Sequence, residues 1–152
     1  MRKSHLPSLL RLVVVVLILV GAGISFVNAQ NDDNPAAARD PERLTIVWTS
    51  GDPDVAHRMV LMYGHAAKTA GWFDEVRLIV WGPSSRLLAA DKDLQAKLKE
   101  MQDDGVILQA CIVCADSYGV TEKLRELGLE VKGMGRPLSD LVKDGETHIL
   151  TF

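Results

Sequence analysis

Both cysteines of this 152-residue chain fall in one stretch, Ala110-Cys111-Ile112-Val113-Cys114-Ala115-Asp116-Ser117-Tyr118-Gly119-Val120. The apolar run Val106 to Cys111 gives way here to a helical pattern that ends at Leu127. A thiolate is the reactive form of cysteine, and backbone N–H groups at a helix start favour it over the thiol. A thiol pair at a strand-to-helix junction is therefore a place for nucleophilic sulfur chemistry.

Three chemistries compete for the pair. A zinc half-site would need a second pair of ligands, and His57, His65 and His148 do not supply one at ligand spacing, so no metal is expected. A dithiol oxidoreductase has the right spacing. However, a thioredoxin-like motif follows the first strand of its core, and this one follows the third. The third reading is structural, with two small apolar fillers or a disulfide. Ile112 and Val113 between the cysteines are β-branched and apolar, consistent with partial burial.

Other side chains could support a site. His57 falls in the first turn of the first helix and could hold or donate a proton. Ser84, with Ser85 and Arg86, could bind an anion at a helix start or only cap it. Arg136 follows the fourth strand and could meet a sulfur oxyanion, or be an exposed charge. Asp52 and Asp116 read as caps, and Trp48 and Trp81 as packing. Gly133-x-Gly135 lacks the third glycine of a dinucleotide fingerprint, and no cofactor is expected.

The elements that must position these groups alternate. Strands are expected at Leu44–Thr49, Val76–Trp81, Val106–Cys111, Leu129–Lys132 and Thr147–Phe152. Helices are expected from Pro53 to about Ala70, at Ser84–Ala90, Asp91–Asp104, Thr121–Leu127 and Pro137–Lys143. The first helix shows Val55, Met59, Met62, Ala66 and Ala70 at steps of three and four, which predicts its buried stripe. Leu94, Leu98 and Met101 do the same for the third. Alternating strands and helices imply crossovers and a parallel sheet, and near-continuous apolar strands imply helices on both faces. The expected fold is a three-layer α/β/α sandwich around a five-stranded, mostly parallel sheet. Ligands of such sheets bind beyond the carboxyl ends of the strands, where the cysteines fall.

The N-terminal region has the three parts of a secretory leader: a basic start (Arg2, Lys3, Arg11), an apolar stretch from Leu12 to Val27, and Val27-Asn28-Ala29 as a cleavage site. Residues 1–29 are read as a signal peptide cleaved after Ala29, 30–43 as a flexible linker and 44–152 as the folded domain. The mature protein is then periplasmic or extracellular, and the leader before cleavage is its one link to a membrane. An oxidising compartment favours a disulfide between close cysteines unless a reductant is supplied. Three of the 17 basic residues lie in the leader, which leaves 14 against 20 acidic ones, a net of −6. An acidic domain with no basic run argues against nucleic acid or an anionic membrane as partner.

From Leu44 to Phe152 the chain resembles the DsrE/DsrF family of sulfur-relay proteins. The match is carried by Ala110-Cys111-x-x-Cys114-Ala115 with Gly119-Val120, and by Trp81-Gly82-Pro83-Ser84 with Leu87-Leu88 and Asp91. Leu127 to Val131, Met134-Gly135 with Pro137-Leu138, and the closing Leu150-Thr151-Phe152 complete it. The resemblance implies a flavodoxin-like α/β sandwich that assembles into homo-oligomers. It also implies a persulfide carrier cysteine after the third strand, eight residues before a glycine. Cys111 and Gly119 have that spacing. Cys114 is an extra thiol relative to the relay branch, and the leader departs from its cytoplasmic members. The implied function is a sulfurtransferase-like persulfide carrier, with small sulfur species or a partner thiol protein as its counterpart. The alternatives are a non-catalytic oligomeric binding module and a dithiol-disulfide oxidoreductase.

Overall fold

The computed structural model describes residues 42–152. The leader, its cleavage site and nearly all of the linker lie outside the described residues. Among those described, no helix is long and apolar enough to cross a membrane.

Five strands form one sheet: β1 (Arg43–Trp48), β2 (Glu75–Val80), β3 (Ile107–Cys111), β4 (Glu130–Lys132) and β5 (Thr147–Thr151). Their order is β4-β3-β2-β1-β5, and every neighbouring pair is parallel. The connections are helical. The first helix, α1, joins Pro53–Val55, a π-helical stretch Ala56–Leu61 and Met62–Thr69. It is followed by α2 (Pro83–Ala90), α3 (Lys92–Asp103), α4 (Ile112–Ser117), α5 (Thr121–Glu126) and α6 (Gly135–Lys143). The short helix α4 precedes the helix expected at Thr121–Leu127 and lies outside the helices expected from the sequence. Gly119, at φ 68°, separates it from α5.

Right-handed crossovers dictate the layers. From β1 to β4 the chain steps across the sheet in one direction, so α1 to α5 share one face. The return from β4 to β5 reverses direction and puts α6 on the other. Side-chain alternation agrees. Leu44, Ile46, Trp48, Val76, Leu78, Val80, Leu108 and Ala110 pack in one cluster with helix residues such as Val60, Leu88, Leu98 and Leu124. The intervening Ile79 and Cys111 belong to a second, smaller cluster with Met134, Leu138 and Leu141. The result is a three-layer sandwich with one thick helical layer and one thin one.

Capping follows local chemistry. Asp52 accepts the Asp54 and Val55 N–H groups at 2.8 and 3.2 Å at the start of α1, ahead of Pro53. Asp91 does the same for α3, taking the N–H groups of Asp93 and Leu94.

The buried stripe of α1 differs from the expected one. Met59 and Met62 are exposed, and Ala56, Val60, Gly64 and Ala67 face the sheet instead. A Cβ at Gly64 would stand 3.0 Å from Ile46 Cδ1 and 3.4 Å from Met101 Cε. The helix therefore approaches too closely for large side chains, and a stripe of alanine and glycine escapes a reading based on hydrophobicity.

On the thin face a polar ladder crosses three strands. Arg77 donates to Glu75 at 2.9 Å and to the Gln109 side-chain carbonyl at 3.1 Å. Gln109 Nε2 donates to Glu130 at 2.6 Å, and Lys132 pairs with Glu130 at 2.8 Å. Lys132 first, then Gln109, hold the Glu130 carboxyl below its ordinary value. A depressed folded-state pKa adds stability above the unfolded value and loses it as pH falls through the folded one. Thermal unfolding of wild type and Glu130→Gln should thus differ at neutral pH and converge below the ordinary carboxylate range. The gap should stay under about 1 kcal/mol, because the group is largely solvated. A constant gap down to the lowest pH would rule out this account.

Candidate functional site

Cys111 is the last residue of β3 and the N-cap of α4, and its side chain makes no capping hydrogen bond. α4 has only six residues, fewer than two helical turns, so the dipole support expected at this junction is small. Nor is Cys111 open to solvent as the rim position suggested, since it retains 4% of its exposure. Ile79 from β2 and Met134 from the β4–α6 loop, both at 0%, share its cluster, with Trp81, Leu138 and Leu141 packed around them. The cause is tertiary: α6 folds back over the thin face and closes the edge at which β3 ends.

Cys114 is the outer thiol. It is half-buried where Cys111 is buried, and no disulfide joins the two in this structure. Burial first, then a hydrogen bond to Cys111 and the charge of a Cys111 thiolate, push the Cys114 thiol above its ordinary value. The backbone N–H of Gly82 opposes this by donating to the Cys114 sulfur. Gly82 caps α2 with φ 71° and ψ −135°, a conformation that L residues with a Cβ rarely adopt. Its only sequence signal is the Gly82-Pro83 turn that closes β2. Between the two cysteines, Val113 is 71% exposed, so this turn of chain has a buried and a solvent side.

The other predicted residues are not gathered at the thiols. Ser84 is fully buried; its hydroxyl donates to the Trp48 carbonyl at 2.6 Å and accepts the Trp81 N–H at 3.1 Å. Those bonds fasten the β2–α2 turn to the end of β1 and occupy the hydroxyl. Arg136 opens α6 as an exposed side chain, its Nε 2.8 Å from Asp140. His57, in the π-helical stretch, lies 4.0 Å from Asp91. It lines a groove of about 650 Å³ between α1 and α3, together with His65, Asp93 and Lys97, and neither cysteine belongs to that lining. Arg86 lies over the Tyr118 ring, 5.4 Å from its centre. Among the described residues, no group of three His, Cys, Asp or Glu side chains is placed to hold a metal ion.

The arrangement is two unbridged cysteines in one cluster, one sealed and one half-buried. That is a geometry for thiol–persulfide or thiol–disulfide exchange, in which sulfur passes between neighbouring thiolates.

The similarities found for the chain agree with this architecture. A solved structure of a conserved protein of unknown function from Bacteroides thetaiotaomicron matches with 36% identity and a TM-score of 0.70, covering 73% of this chain and 95% of that one. No curated protein matches. Residues 42–152 match the DsrE/DsrF-like family over the whole described domain, and the chain belongs to that family.

Proposed function

We propose that the protein handles reduced sulfur, with Cys111 storing a persulfide and Cys114 as its neighbouring thiol. The observation that carries this reading is the packing of two unbridged cysteines in one cluster at the carboxyl edge of the sheet. A thiolate of the pair attacks a donor's outer sulfur; a new S–S bond forms, the donor's S–S bond breaks, and the shortened donor leaves with the electron pair. The sulfur rests on Cys111, shielded by Met134 and Ile79 from bulk reductants. Attack by Cys114 on the Cys111 sulfur would instead expel hydrosulfide and leave a disulfide, which an external dithiol returns to two thiols. Membership of the DsrE/DsrF-like family supports a sulfur-relay-related role.

After treatment with inorganic polysulfide, the peptide that carries both cysteines should gain the mass of one sulfur, assigned by fragmentation to Cys111, and the Cys111→Ser, Cys114→Ser double variant should gain none. An unmodified wild-type mass removes the reading.

The burial of Cys111 favours one other reading, a non-catalytic binding module whose cysteines are fillers. Free-thiol titration separates the two: a reactive, reducible pair fits sulfur handling, and two inert thiols fit the module. We further place the mature domain outside the cytoplasm, on the strength of the leader, and as a homo-oligomer by family resemblance. Cleavage after Ala29 is tested by N-terminal sequencing of exported protein. Light scattering that gives a monomer would count against assembly.

A further inference from the structure

We infer that Cys114, not Cys111, is the first acceptor of sulfur, so that sulfur moves inward from Cys114 to Cys111. The inference rests on the sulfur-handling reading above and adds a direction to it.

Displacement at sulfur needs an approach in line with the bond that breaks. Cys111 offers no such path, being 4% exposed beneath Ile79 and Met134. Cys114 sits beside it on the same short helix, half-buried. Its neighbour in the chain, Val113, is 71% exposed. Of the two thiols, Cys114 is therefore the one with surface open to a donor.

The steps balance. The Cys114 thiolate attacks the terminal S–H sulfur of a hydropolysulfide. The Cys114 S–S bond forms, the donor's terminal S–S bond breaks, and a shortened polysulfide dianion departs. The proton stays on the transferred sulfur. The Cys111 thiolate then attacks that outer sulfur, forming the Cys111 persulfide and releasing the Cys114 thiolate. No net oxidation occurs.

Burial and Cys111 both hold the Cys114 thiol up. Its thiolate is scarce near neutrality but more nucleophilic for that reason. Beyond the two cysteines, no ionisable residue belongs to this cluster.

The test uses the purified full chain, sodium tetrasulfide as probe, an alkylating quench and peptide mass spectrometry over time. Cys114→Ser should slow sulfur loading of Cys111 about ten-fold or more, because the direct path needs the packed cover to open locally. Cys111→Ser should keep loading at Cys114 and trap the sulfur there, with the pH midpoint of loading moved down. Cys111 loading at the wild-type rate in Cys114→Ser overturns the direction and leaves sulfur handling standing. No sulfur on either thiol in any protein overturns both.

Discussion

Truncation of Met134 to alanine should expose Cys111 and raise its alkylation rate at least about ten-fold, since about 2–5 kcal/mol of packing is lost on deleting a buried methionine. Met134 is fully buried in the cluster that holds Cys111, and it enters from the loop that leads into α6. A probe such as iodoacetamide reacts with Cys111 only when this cover opens, and the opening free energy falls as the packing is removed. Leu138→Ala should have a smaller effect, because Leu138 is only partly buried. Cys114 alkylation should change little in either variant. The measurement is the rate at each cysteine, assigned by fragmentation of the peptide that carries both and read alongside a melting curve to separate local opening from global unfolding. An unchanged Cys111 rate in a folded Met134→Ala protein would mean that its cover lies elsewhere. The same variant should hold a Cys111 persulfide less long against added dithiol, which connects the packing of α6 to the storage role.

Leu78→Ala should destabilise the domain by about 2–5 kcal/mol, a large share of the roughly 5–15 kcal/mol that holds a domain folded. Leu78 is fully buried on the middle strand of the sheet. It pairs in register with Ile46 on β1 and Leu108 on β3, so the three form a row beneath the thick helical layer. Strands packed on both sides cannot collapse into the space left by its isobutyl group, which places the cost toward the upper end. Urea denaturation reads it as a lower midpoint at unchanged slope. A loss below about 0.5 kcal/mol, the size of an ordinary surface substitution, would contradict the packing described here. The cysteine cluster lies on the opposite face, so the order of thiol reactivity should survive as long as the fold does.

The alternation of apolar strands with helical stripes was enough, read along the chain, to indicate a parallel five-stranded sheet and to put the cysteines at its carboxyl edge. These are local signals: a strand such as Val76 to Val80, or the stripe Leu94, Leu98 and Met101, carries its pattern within a few residues. Cap chemistry is local too, which is why Asp52 and Asp91 lie at the starts of α1 and α3. Tertiary structure decided what depends on partners distant in sequence. Which side of α1 is buried turned on how closely it approaches Ile46 and Met101, a fit that favours Ala56, Gly64 and Ala67 over the more hydrophobic Met59 and Met62. Ser84 became a fastening between strands because the Trp48 carbonyl lies within its reach. Which thiol is sealed turned on α6 crossing to the thin face, since two cysteines three residues apart look alike until Met134 covers one and Gly82 reaches the other. Spacing along the chain can locate a reactive pair, but accessibility is set by the surfaces that later segments bring over it.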